Sequence, residues 1–84
     1  MKNKVLVQLV IPDIEKSFDI YLPINKRVGN IINLLNKAIT EITGGTYQGT
    51  KKTGLYNSRT GEKYAVDDLI RNTTIRNGAR LVLL

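Results

Sequence analysis

A lone apolar stripe at helical spacing occupies the middle of this sequence and dictates the rest of its architecture. Val28, Ile31, Ile32, Leu35, Ala38, Ile39 and Ile42 recur so that, at about 100° per residue, they fill one face of a helix. Asn30, Asn33, Lys37 and Glu41 fall opposite, with Leu34 at the edge of the apolar face. Thr43-Gly44-Gly45 ends the pattern, because glycine tolerates the left-handed conformation that closes a helix. The start lies between Asn25 and Val28, which gives roughly four turns. Such a helix cannot bury its stripe on itself; it needs one face of a sheet to cover it.

The flanking sequence supplies that sheet. Val5, Val7, Leu9 and Ile11 alternate with Leu6, Gln8 and Val10, a period of two in a β-branched segment. Pro12-Asp13-Ile14-Glu15-Lys16 reads as a turn. Phe18, Ile20 and Leu22 then alternate with Asp19 and Tyr21, completing a hairpin. After the helix, residues 46–52 are polar and contain glycine, which predicts a mobile loop. Residues 53–57 read as a short strand, Ser58-Arg59-Thr60-Gly61 as a turn, and Glu62-Lys63-Tyr64 as a shorter edge strand. Residues 66–70 read as a single helical turn capped by an aspartate. Asn77-Gly78 is a tight turn before the closing strand, Arg80-Leu81-Val82-Leu83-Leu84. The element order is β-β-α-β-β-β, and the right-handed crossover rule limits where the later strands can go. A last strand parallel to the first gives an α+β fold: a mixed sheet of five or four strands packed on one helix. That is the β-grasp, or ubiquitin-like, arrangement, expected as one domain over residues 1–84.

Composition removes most enzyme chemistries. There is no cysteine, so no disulfide, thiolate zinc site or iron–sulfur cluster is possible. There is no histidine either, which removes the commonest general base and metal ligand. Seven scattered acids suggest no metal site, and no cofactor is expected. Met1-Lys2-Asn3-Lys4 before an apolar run has a superficial likeness to a secretion signal. The run is short, carries Gln8, and meets Pro12-Asp13 in place of a small-residue cleavage site. No stretch approaches the ~20 apolar residues of a membrane span, so a cytoplasmic location is expected. In that setting Asn72-Thr73-Thr74 is a chance match to a glycosylation sequon. The net charge of +6 is compatible with nucleic acid, an anionic membrane surface or an acidic protein partner. Its thirteen basic residues form pairs at most, never a run.

Two resemblances sharpen the reading. Leu55-Tyr56, Asp67-Asp68-Leu69-Ile70, Ile75 and Leu81-Val82-Leu83 are similar in order to the C-terminal third of ubiquitin. The opening strand, Phe18-Asp19-Ile20-Tyr21-Leu22-Pro23 and the ending Ile75-Arg76-Asn77-Gly78-Ala79-Arg80-Leu81 resemble the YukD/EsaB family. These are small ubiquitin-like proteins associated with type VII secretion in Gram-positive bacteria. Ala79-Arg80 departs from that family, whose members often carry an acidic residue just after the final Asn-Gly turn. The resemblance implies a non-catalytic, cytoplasmic accessory of the secretion apparatus. Its partners would be proteins, membrane-anchored secretion components among them, which would hold it at the inner face of the membrane.

Strand alternation indicates where a partner would bind. With Val5, Val7, Leu9, Leu81 and Leu83 inward, Leu6, Gln8, Val10, Tyr56, Arg80 and Val82 point out. By resemblance to ubiquitin, whose recognition patch lies on its third and fifth strands, the matching positions are Tyr56, Arg80 and Val82. An aromatic and an arginine beside apolar residues suit a binding hot spot, although β propensity alone also places such residues on a half-exposed strand. Lys51-Lys52 and Lys26-Arg27 are candidate electrostatic contacts, with solvated loop charges as the plainer reading. Asp67-Asp68 is the only acidic pair, and capping explains it better than acid–base chemistry. Conjugated modifiers of this fold need an exposed Gly-Gly tail; the sequence ends Leu83-Leu84, and Gly44-Gly45 reads as a helix stop. The alternative function is RNA binding by a small basic β-grasp module, with affinity falling steeply as salt rises.

Overall fold

The computed structural model describes residues 3–84; Met1 and Lys2, and with them the start of the apparent signal, lie outside the described residues. Its α-helix, α1, runs Val28–Ile42, where the apolar stripe predicts it. Val28, Ile31, Ile32 and Ile39 are buried and Leu35 packs against them. The stripe is narrower than the periodicity suggests, since Ala38 is exposed and Ile42, at the last turn, is 68% exposed. At that end Ile42 lines an open hollow with Ile14 and Phe18 of the hairpin.

Four strands cover the stripe: β1 (Lys4–Ile11), β2 (Lys16–Pro23), β3 (Leu55–Asn57) and β4 (Arg80–Leu83). Their order is β2-β1-β4-β3, with β1 and β2 antiparallel, β1 and β4 parallel, and β3 and β4 antiparallel. This is a mixed sheet gripping one helix, the β-grasp topology. Val7, Leu9 and Ile11 of β1, Leu22 of β2, Leu55 of β3 and Leu81 and Leu83 of β4 fill the inner face. Burying one such side chain contributes about 1.5–3 kcal/mol relative to leaving it in water. The residues between them on each strand point away, as pleating requires.

The fifth strand expected at 62–64 is a single bridge between Tyr56 and Lys63. Asn57 N–H donates to the Glu62 carbonyl (2.8 Å) and Tyr64 N–H to that of Leu55 (2.9 Å). The tyrosine side chain then turns into the core, and its hydroxyl meets Asn57 and Thr74. The helical turn expected at 66–70 lies further along, as a 3-10 turn over Ile70–Asn72 with no side-chain cap. Asp67 and Asp68 work through their backbones instead. The Asp68 carbonyl accepts from Val28 N–H (2.8 Å) and that of Val66 from Gly29 N–H (2.9 Å), so this segment caps the start of α1. Gly29 allows the approach: a Cβ there would lie 3.2 Å from the Val66 carbonyl oxygen. The same strip continues as Ile70 N–H to the Lys26 carbonyl (2.9 Å) and Arg71 N–H to that of Ile24 (3.0 Å).

At its other end α1 closes as its sequence predicts. Gly44 N–H donates to the Glu41 carbonyl (3.2 Å) and Gly45 N–H to that of Thr40 (2.9 Å), with both glycines at positive φ. The following loop is not free, however. Tyr47 is 3% exposed, and its hydroxyl donates to Asn36 Oδ1 of the helix at 2.6 Å. Gly49 lies so close to the Asn36 side chain that no Cβ fits between them. An aromatic anchor therefore ties the first half of 46–52 to α1.

Burial holds the Tyr47 phenol above its ordinary pKa of 10.0, with the Asp13 charge adding to the effect and the Thr53 hydroxyl opposing it. A raised folded-state pKa means the folded chain keeps this proton more tightly than the unfolded one. Its stabilising effect is thus complete below the unfolded value and lost as pH rises through the folded value. Urea unfolding followed across alkaline pH is expected to show stability falling above pH 10.0 in the natural chain. In Tyr47→Phe that fall is expected to be smaller, and at neutral pH the loss of the Asn36 bond costs about 1 kcal/mol.

Candidate interaction surface

Among the described residues no element covers the face of the sheet away from α1, and strand register arranges its side chains in rows. One row runs Ser17, Val10, Val82, Tyr56 and Lys63 across all four strands and the extra bridge. The next runs Asp19, Gln8 and Arg80. Tyr21 and Leu6 pair in the third. The six residues singled out from alternation, Leu6, Gln8, Val10, Tyr56, Arg80 and Val82, therefore share one surface. Leu6 is 40% exposed, Gln8 and Arg80 are exposed, and Val10, Tyr56 and Val82 are half-buried.

The parallel junction between β1 and β4 brings the two halves of this surface together, and a side chain extends it. Gln8 N–H donates to the Ala79 carbonyl (2.9 Å) and Gly78 N–H to that of Leu6 (2.8 Å). The next donor, Leu6 N–H, finds Asn77 Oδ1 at 2.8 Å. Gly78, at φ +86°, turns the chain so that both contacts form at once. Asn77 and Gly78 thus set the register that places Arg80 opposite Gln8.

Lys51 and Lys52 lie elsewhere. Lys51 is exposed and lines a hollow beside the first turns of α1 with Arg27, Asn30, Asn33 and Thr50. Arg27 there donates to the Asp67 carbonyl. The outward residues missed by the strand reading are Tyr21, 53% exposed beside Leu6, and Lys63 beside Tyr56. Tyr21 was visible as the polar-side residue of β2; the bridge of Lys63 depends on a pairing that alternation alone does not show. Among the described residues no three of His, Cys, Asp or Glu gather as metal ligands, and no helix is long and apolar enough to cross a membrane.

No family model and no curated protein matches the sequence. Solved structures match its shape. The ubiquitin-like domain of EccD5 from Mycobacterium xenopi superposes with a TM-score of 0.78 at 15% identity, covering 96% of this chain and 92% of that one. That of the Mycobacterium tuberculosis type VII secretion system protein ECCD1 gives 0.72 at 13% identity, covering 96% and 97%. The fold is ubiquitin-like. A chain of the ESX-5 inner membrane complex also matches, at 0.72 and 15% identity over 98% of this chain. The ubiquitin-like chain spans 21% of that longer one.

Replacing Asn77 by alanine removes the acceptor for Leu6 N–H without touching the core. The expected outcome is a loss of about 1 kcal/mol in urea unfolding and faster hydrogen exchange at Leu6, with the inner-face amides of β1 still protected.

Proposed function

We infer that this chain is a non-catalytic protein-interaction module of a type VII secretion apparatus and that its open sheet face is the docking surface. The observation that carries the reading is the convergence of Leu6, Val10, Tyr56 and Val82 with Gln8 and Arg80 on a face that the fold leaves uncovered. Apolar groups flanked by a hydrogen-bonding amide and a guanidinium suit the centre of a protein contact. The shapes it resembles among secretion proteins, EccD5 and ECCD1, support the cellular setting.

The finer reading is an accessory of the YukD/EsaB kind, formed by residues 1–84 as one domain and working in the cytoplasm. A partner in the membrane complex holds it at the inner face of the membrane. It acts by recognition, and its Gly44-Gly45 pair serves to close α1. It needs no cofactor. Lys51, Lys52 and the other basic residues steer it towards acidic surroundings.

Affinity capture of the tagged chain from its own cells, after mild membrane solubilisation and with nuclease, tests this reading. Secretion-system proteins are expected to persist in the nuclease-treated sample. Tyr56→Ala and Val82→Asp are each expected to lose those proteins while circular dichroism and the unfolding midpoint show an intact fold. Capture undiminished in both folded variants would remove the surface assignment. Recovery only of RNA-dependent proteins would remove the secretion reading in favour of a basic RNA-binding module.

A further inference from the structure

A second feature lies at the end of the sheet, where β3 stops and β4 begins. Arg59 from the turn after β3, Arg76 from the loop before β4, and Arg80 at the start of β4 line one depression of about 300 Å³. Asn57, Tyr64 and Thr74 form its polar floor, and no aspartate or glutamate lines it. Seventeen positions separate Arg59 from Arg76, so the cluster is a product of folding, not a run of charge.

The walls are fixed by the backbone. Ser58 N–H donates to the Arg80 carbonyl at 3.0 Å, which ties the Arg59 turn to β4. Asn57 Oδ1 accepts from Arg59 N–H (2.8 Å) and Thr60 N–H (3.2 Å), closing that turn. The Asn57 amide donates to the Tyr64 hydroxyl (3.1 Å), which also meets Thr74 Oγ1 (3.0 Å). Arg76 Nη1 donates to the carbonyls of Thr73 (2.7 Å) and Ile75 (2.8 Å), which holds its guanidinium against the loop. Among the described residues the guanidinium groups of Arg59 and Arg80 have no hydrogen-bond acceptor.

We propose that this depression is a carboxylate-binding site that takes an acidic segment of a partner protein. Guanidinium forks bind carboxylates through paired, charge-assisted hydrogen bonds, and three of them around one hollow provide for one or two acidic side chains. A nucleic-acid strand fits less well. It needs basic groups spaced along a track and bases stacked on exposed rings, whereas these arginines converge on one hollow and Tyr64 is buried. Arg80 also belongs to the open sheet face, and the proposal rests on the docking reading in that respect alone. A partner segment with apolar residues on Val82 and Tyr56 and acidic ones just beyond would use both.

The test is an amide-resolved NMR titration of the chain with a capped hexaglutamate peptide at low salt. Amides in 57–60 and 74–80 are expected to shift. In the double variant Arg59→Gln/Arg80→Gln, which leaves the loop-bound Arg76 in place, affinity is expected to fall at least about tenfold. Lys51→Gln/Lys52→Gln removes the same charge elsewhere and is expected to bind nearly as tightly as the natural chain. If the first double variant misfolds, Arg59→Gln alone carries the comparison. Equal losses in both double variants would mean diffuse attraction to net charge and overturn the site. The absence of shifts would do the same, as would a hexauridine RNA that shifts these amides when the peptide does not. Failure here leaves the sheet-face reading intact, because Tyr56→Ala and Val82→Asp test that separately.

Discussion

Everything in this chain hangs on burying one side of α1. Val28, Ile31, Ile32 and Ile39 can leave water only against an apolar sheet, and the inner residues of all four strands meet them there. At this chain length the core has little surplus, and among the described residues no buried polar or charged side chain is spent on specificity. The pleat then decides the other face without further instruction. A strand that sends Leu9 or Leu81 inward must send Val10 and Val82 outward, so the core pattern itself creates the open surface.

The helix stripe alone does not hold the C-terminal third in place. Besides the pairing of β4, a backbone clasp contributes, in which residues 66–71 donate to and accept from residues 24–29 around the helix start. The clasp satisfies two of the helix's otherwise unpaired N–H groups and brings Ile70 into the core beside Ile75. Gly29 is the point of closest approach, where a side chain would press on the Val66 carbonyl. A gap filled by backbone explains why a helix without an acidic or hydroxyl N-cap residue, preceded only by Arg27, starts cleanly.

The same distinction separates what the sequence discloses from what it hides. The helix, the hairpin and the closing strand are legible because each has a period that one residue cannot break, and Gly44-Gly45 marks its stop through a local conformational need. The strand expected at 62–64 and the Asp67-Asp68 side-chain cap do not form because tertiary pairing, not local propensity, decides both segments. Lys63 finds one partner and the chain turns away; the aspartates sit where their carbonyls, not their carboxylates, are wanted. Tyr47 is hidden for the same reason, as a single aromatic in a polar loop whose partner, Asn36, is a polar residue bordering the helix stripe. For the sheet face, alternation shows which residues point out but not which stand together. That depends on the parallel register set by Asn77 and Gly78.

Charge follows a similar logic with a different consequence. The thirteen basic residues never form a run, yet folding gathers three arginines at one end of the sheet with no carboxylate among the lining groups. Like charges brought together repel. Arg76 is partly compensated by two carbonyls, whereas Arg59 and Arg80 have no acceptor among the described residues. An anion that enters the depression exchanges that repulsion for attraction. The electrostatics that slightly disfavour the free fold therefore favour the occupied one, and they do so next to the apolar rows of the open face. A partner that matches both must present acidic and apolar groups in a fixed order, which is a stricter demand than net charge alone would make.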